Sequence, residues 1–285
     1  MRGIYLILLI AFVGVGSWWL HQNNTVVHGL VQDYSGKKQE APQFLALEAR
    51  YTPDQIMEAH RSELPLNRSN DKLEPALKFF PYLLLDVTYN QSDKRNREGV
   101  MLWSMDDGEI ITNTQSWEAS KGFGALLAAG ADQGDFLVVK ALAARGGKVK
   151  RDQLIRSLGV DSARADDWLE SARKKGLVSL DGNMYKLNTS NVNVAVQPAT
   201  IISQRLVTKP YNHVKRQATK YTKEQISEAA RVAFAPEVTV RSVREVFLPV
   251  YSVSLTNNDG SVQTTYWNAL NGQRYVPKGS TATRQ

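Results

Sequence analysis

Catalysis needs side chains of matched type within reach of one another, and in this chain of 285 residues few spacings qualify. Ser171-Ala172-Arg173-Lys174 has the Ser-x-x-Lys spacing of a serine acylase, which sets a nucleophile one helical turn from its base. Neither Ser-Asp-Asn nor Lys-Thr-Gly accompanies it, so the spelling reads as chance. The carboxylate pairs Asp106-Asp107 and Asp166-Asp167 are adjacent rather than facing, and Asp107 is committed to a turn. His21, His28, His60 and His213 are scattered. The absence of cysteine excludes disulfides, cysteine-ligated zinc, iron–sulfur clusters and thiol catalysis together. A phosphate-cradling glycine loop, His-Glu-x-x-His and Gly-x-Ser-x-Gly are also missing. The expectation is a protein that is not an enzyme, with no cofactor and no metal ligands.

The side chains with most to offer a partner are Arg164, Asp166, Asp167, Arg173, Lys174 and Lys175, all within "DSARADDWLESARKKG" at Asp161 to Gly176. Asp161 or Ser162 caps this stretch and Gly176 ends it, so it reads as a helix. Two helices precede it, "DFLVVKALAARGG" from Asp135 and "KRDQLIRSLGV" from Lys150, each stopped by glycine. "LVSLDGNMYKL" at Leu177 to Leu187 follows as a hairpin. Three helices followed by a hairpin resemble a winged helix, over residues 131–190. The resemblance implies a third helix that reads DNA in the major groove. Here that helix opens with Asp161, Arg164, Asp166 and Asp167, with Glu170 following, and a phosphate backbone repels those carboxylates. Arg173, Lys174 and Lys175 stand at its C-terminal end, where cations suit the helix dipole without any ligand. Contact with protein is therefore favoured and nucleic acid disfavoured.

On either side of this stretch lie two similar segments. "YTPDQIMEAH" at Tyr51 to His60 matches "YTKEQISEAA" at Tyr221 to Ala230, and each opens with a capping box, Thr52 to Gln55 and Thr222 to Gln225. "FFPYLLLDVTY" at Phe79 matches "FLPVYSVSLTN" at Phe247, with each proline placed near the start of its strand. Trp103 with Asp107-Gly108 matches Trp267 with Asn271-Gly272. The order is helix, strand, strand, turn, strand in both, at offsets that drift only from 170 to 164.

This pattern resembles PepSY-like domains, best carried by "VYSVSLTNNDGSVQTTYWNALNGQRYV" in the second segment. The first segment departs from it by the charged insertion "NQSDKRNREG" at Asn90 to Gly99. The resemblance implies non-catalytic modules of membrane-tethered extracytoplasmic proteins, which contact or restrain other proteins. The repeats are expected over 51–120 and 221–277.

Ile4 to Leu20 carries no charge and ends in Trp18 and Trp19, which suit a membrane interface. At 1.5 Å per residue this run reaches about 26 Å, the short end of a spanning helix. A cleaved signal peptide is the rival reading, with Gly14 and Gly16 ahead of the cut. An uncleaved anchor over 1–20 is preferred, because paired tryptophans would make an odd mature N-terminus. With Arg2 ahead of the run, the chain after it is expected outside the cytoplasm, in a bacterial inner membrane protein. A tether over 21–50 and a basic connector over 191–220 complete the plan.

The formal net charge is +7 and the pI about 9.4. Cations cluster at Lys94-Arg95-Arg97, from Arg145 to Arg151 and from Arg205 to Lys223. They suit anionic lipid, cell-wall polymer or an acidic partner, or simply a solvated connector. Trp117 and Phe123, in "NTQSWEASKGFGALLAAG", either pin the first repeat to the winged helix or face a partner, with packing preferred.

The expected fold class is α+β, with an N-terminal transmembrane helix, two small helix-plus-antiparallel-sheet repeats and an intervening winged-helix module. The expected function is a membrane-anchored extracytoplasmic protein-interaction module, an envelope assembly or regulatory factor that binds envelope proteins or forms homo- or hetero-oligomers. The alternative is a membrane-tethered DNA-binding transcription regulator with the winged helix in the cytoplasm.

Overall fold

The structure is a computed structural model and describes residues 43–63, 75–90, 96–210, 215–256 and 262–277. The first described elements are β1 (Gln43–Leu47), α1 (Pro53–Ala59), β2 (Ala76–Asn90), β3 (Asn96–Ser104), β4 (Ile110–Asn113), β5 (Glu118–Ala119) and α2 (Phe123–Ala128). The middle of the chain supplies α3 (Gln133–Ala143), β6 (Lys148–Lys150), α4 (Arg151–Leu158), α5 (Ser162–Lys174), β7 (Val178–Asp181) and β8 (Met184–Leu187). Last come β9 (Leu206–Pro210), β10 (Lys215–Arg216), α6 (Lys223–Ala233), β11 (Val238–Thr256), β12 (Val262–Asn268) and β13 (Arg274–Tyr275). Residues from Phe44 onward belong to one unit, described below.

The expected fold class is corrected in two respects. Among the described residues no helix is long and apolar enough to cross a membrane, and Ile4 to Leu20, with Trp18 and Trp19, lies outside those residues. In place of two small antiparallel sheets there is one mixed sheet of ten described strands, ordered β13-β12-β11-β2-β3-β4-β5, with β1, β9 and β10 joined off that path. The cause is the composition of β2 and β11. Phe79 to Leu85 and Val246 to Val250 are buried without interruption. Such strands need cover on both faces and a neighbour on both edges, which a three-stranded sheet alone would not supply.

β2 and β11 pair antiparallel about a local pseudo-dyad. Phe79 faces Pro249 and Pro81 faces Phe247, with Phe80 opposite Leu248 at the centre. Both prolines thus sit inside long strands rather than near their starts. The Pro81 carbonyl accepts from Met105 N–H at 3.1 Å and the Pro249 carbonyl from Ala269 N–H at 3.1 Å, so these residues turn their polar groups away from the central pair. On that outer side β10 ends at Arg216 opposite Phe79, and β3 ends at Ser104 opposite Tyr82. A missing N–H in this gap breaks no ladder bond.

Matched hydrogen bonds recur around the pseudo-dyad. Tyr51 N–H donates to Ala269 O at 3.0 Å and Tyr221 N–H to Met105 O at 3.0 Å. Ser104 N–H donates to Glu109 O at 2.9 Å and Asn268 N–H to Gln273 O at 2.8 Å. β1 lies parallel on β11, and β10 parallel on β2. Each leading strand and helix therefore packs on the opposite half: Ile56 of α1 lies with Val253 and Trp267, and Ile226 of α6 lies in the cluster of Leu83 and Trp103. β1 falls within the stretch read as tether, and β9 and β10 within the stretch read as connector.

Residues 133–187 form a three-helix insert with its own antiparallel sheet, ordered β6-β8-β7. β6, between the first two helices, pairs Val149 with Tyr185 and has no counterpart in the sequence expectation. The insert shares the body's core through aromatic contacts. Phe123 packs on Trp103 with ring centroids at 5.3 Å, on Phe136 at 5.9 Å and on Phe234 at 5.9 Å.

Candidate functional site

α5 presents the side chains singled out above, and its orientation follows from three local devices. Asp161 caps it, accepting Arg164 N–H at 2.9 Å, and Ala165, Leu169 and Ala172 make its buried stripe. Trp168 lies flat over α3 at Gly134, where an added Cβ would stand 2.3 Å from the indole. Only glycine admits the ring there. Lys175, just past the helix, donates to Asp132 at 3.0 Å and Asp135 at 2.5 Å. Those two carboxylates form the capping box of α3, so the lysine joins the end of one helix to the start of another.

Electrostatics sharpen this last contact. Burial alone would raise Asp132, but hydrogen bonds from Lys175 and from backbone N–H groups outweigh it and hold the carboxyl below its ordinary range. Burial alone would lower Lys175, yet its bonds to Asp135 and Asp132 keep the ammonium above the usual lysine value. Lys175 is thus spent within the fold. The same holds for Asp166, bound by Arg151 of α4 at 2.5 and 2.6 Å. Arg164 stacks 5.2 Å over Trp168, and Lys174 pairs with Glu170 at 2.9 Å. Asp167 and Arg173 are exposed and enter no ion pair among the described residues. A shallow cleft of about 290 Å³ runs between Asp167, Glu170, Ser171, Lys174 and Lys175.

Phe123 and Trp117 lie elsewhere. Phe123 is fully buried between sheet and insert, which is the packing role of the two considered for it. Trp117 is half-buried, packs edge-on against Tyr82 at 5.5 Å and holds a left-handed backbone at φ 58°. The chain brings neither to α5.

Ser171 and Lys174 engage different partners. Ser171 Oγ lies 3.5 Å from the Asp132 carboxylate and Lys174 reaches Glu170, so the serine and the lysine serve separate carboxylates. Among the described residues no group of three His, Asp or Glu side chains could hold a metal ion.

Sequence reasoning missed Glu109. Its buried carboxylate accepts Ser120 Oγ at 2.7 Å and the N–H groups of Gly122 at 2.9 Å, Phe123 at 3.3 Å and Gly124 at 3.2 Å. A glutamate two residues past a turn carries no local sign of this role. Thr200 was missed too, where its hydroxyl accepts Leu102 N–H at 2.9 Å and donates to Ile111 O at 2.5 Å, tying the irregular segment after the insert to the β3–β4 hairpin.

No protein-family model, curated protein or solved structure matches this chain.

Proposed function

We propose that this chain is a non-catalytic protein-interaction module of the bacterial cell envelope, acting as an assembly or regulatory factor. The observation that carries the proposal is the outer face of α5. The insert is fused to the sheet through Phe123 and Phe136, while Arg164, Asp167, Glu170, Arg173 and Lys174 remain exposed beside a cleft. Mixed signs on a rigid helix suit a protein surface of complementary pattern. A row of phosphates would meet Asp167 and Glu170, and Arg151 at the start of α4 is already neutralised by Asp166.

We read the insert as a winged helix and the paired halves as a duplicated PepSY-like unit. In this reading the duplicated sheet is the scaffold and the insert is the reader. The apolar run from Ile4 and the lack of cysteine support an extracytoplasmic location at the inner membrane.

The test places a photo-crosslinking side chain at Asp167 of the full chain in cells, beside a C-terminal reporter active only after export. The expected result is reporter activity with discrete adducts to exported proteins, lost in Arg173→Glu. A cytoplasmic reporter signal with adducts to DNA would overturn the proposal in favour of a tethered transcription regulator.

A further inference from the structure

The two paired halves share a helix seat that is filled on one side and open on the other. In the first half α2 docks on the β3–β4 turn. The Tyr221 hydroxyl donates to Gly124 O at 3.0 Å, and the buried Glu109 carboxylate accepts Gly122 N–H at 2.9 Å and Gly124 N–H at 3.2 Å. Helix and turn lie so close that a Cβ added at Gly108 would stand 2.9 Å from Gly124 Cα. Gly124 has no room for a side chain either, because its Cβ would overlap the Asp107 carbonyl. Leu127, one turn on, reaches over Gly108 as well.

In the second half Tyr51, Gly272 and Gln273 stand at the places of Tyr221, Gly108 and Glu109. Tyr51 lies against Gly272 as Tyr221 lies against Gly108, an added Cβ being 3.3 Å from the first ring and 3.0 Å from the second. No described helix follows β13 to cover them. Tyr51 is 41% exposed, and Gln273 is exposed where Glu109 is buried. Among the described residues neither the Tyr51 hydroxyl nor the Gln273 side chain makes a hydrogen bond, and the buried Asn271 amide nitrogen has no partner. At its tryptophan, by contrast, the second half is closed. His60 of α1 stacks on Trp267 at 4.2 Å, whereas Trp103 is covered by Phe123 of α2.

We propose that the Tyr51–Gly272–Gln273 surface is a docking site for the first turn of an apolar helix in a partner protein, seated as α2 is seated on the other half. The chemistry of that helix follows from α2. A glycine stands where backbone meets backbone, its carbonyl accepting from the Tyr51 hydroxyl. The unpaired N–H groups of the helix start meet the Gln273 amide oxygen. A leucine three residues on covers Gly272, as Leu127 covers Gly108. No aromatic ring is needed, because His60 already covers Trp267. A second copy of this chain is disfavoured as the source, since its own α2 is buried at Phe123 and Leu126. The proposal uses no residue of α5, so failure of either role leaves the other standing.

The test is fluorescence anisotropy with the full chain in lipid nanodiscs, empty discs serving as the blank. The probe is a labelled peptide that copies Ser120 to Ala131 of this chain with Phe123→Ala. It should bind with a Kd at or below about 1 mM. Gly124→Ala in the peptide should abolish binding. Tyr51→Phe in the protein removes only the hydroxyl and should weaken binding about two- to tenfold. Gln273→Glu installs the carboxylate of the other half and should tighten binding about two- to fivefold, because negative charge is favoured at a helix start. Both side chains are exposed, so both variants should melt with the parent. Binding weaker than about 1 mM would overturn the proposal. So would binding indifferent to Gly124→Ala or to either protein substitution, since the peptide would then sit elsewhere. Self-association of the full chain that is lost in Tyr51→Phe would also overturn it, assigning the surface to a second copy.

Discussion

Glu109 supplies α2 with an acceptor that its own N-cap, Gly122, has no side chain to offer. Three backbone N–H groups and a serine hydroxyl converge on one buried carboxylate, so Glu109→Gln removes both an acceptor and the charge that strengthens the remaining bonds. The expected cost is about 1 to 3 kcal/mol, read from the denaturant midpoint. Gly134→Ala drives a methyl into the Trp168 indole and should cost about 1 to 3 kcal/mol by overpacking, with a shift in tryptophan emission. The Asp132–Lys175 contact has a pH signature. Asp132 is depressed, so its contribution is present above the unfolded carboxyl value and is lost as pH falls through the folded one. Lys175 is raised, so its contribution holds below the ordinary lysine value and is lost only as pH rises through the folded one. Both are in force from about pH 5 to about pH 10. Lys175→Met should lower the melting temperature throughout that window and reduce its fall in acid. A variant that keeps the parent's acid slope would refute the coupling.

At the scale of elements, both capping boxes form as their spelling requires. Thr52 accepts Gln55 N–H at 3.3 Å and Thr222 accepts Gln225 N–H at 3.2 Å, with each glutamine returning to its threonine N–H at 2.9 Å. These contacts span three residues, so four letters are enough to specify them. Thr222→Ala should cost about 1 kcal/mol by thermal or chemical unfolding. The positions of Pro81 and Pro249 are different in kind. Alone, each looks like a proline at the head of a strand. Whether it can sit mid-strand depends on what lies across its outer edge, and that is set by β10 and β3 for one and by β1 and β12 for the other. β6 escaped notice for a similar reason, since three residues between helices become a strand only when β8 is beside them.

At the scale of the molecule, the halves are related by geometry but are covered unequally. Tyr221 donates its hydroxyl to Gly124 O at 3.0 Å and is 5% exposed, whereas Tyr51, at the matching place, is 41% exposed. The difference is α2 and the insert, which seal one half. On the other half His60 fills in, stacking on Trp267 at 4.2 Å and bonding Gly272 O at 2.8 Å. Because Phe123 joins the sheet core to the insert core, residues 43–277 should unfold as one cooperative unit. Tryptophan fluorescence and far-ultraviolet circular dichroism should give coincident transitions, and Phe123→Ala should lower both together by about 3 to 5 kcal/mol. Separate transitions for sheet and insert would contradict this.

The sequence by itself determined the short-range features: the helix caps, the glycine stops, the hairpin turns at Gly108 and Gly272 with φ of 75° and 71°, and the order of elements in each segment. It also placed Arg164, Asp167, Arg173 and Lys174 together on one helix. Only the tertiary structure decided that the halves share one sheet, that each leading helix crosses to the other half, and that Asp166 and Lys175 are consumed by Arg151, Asp132 and Asp135. The physical reason is range. A cap or a turn is settled by neighbours within four residues, whereas register, burial and ion pairing depend on which distant surfaces meet, and that is fixed by the whole chain excluding water at once.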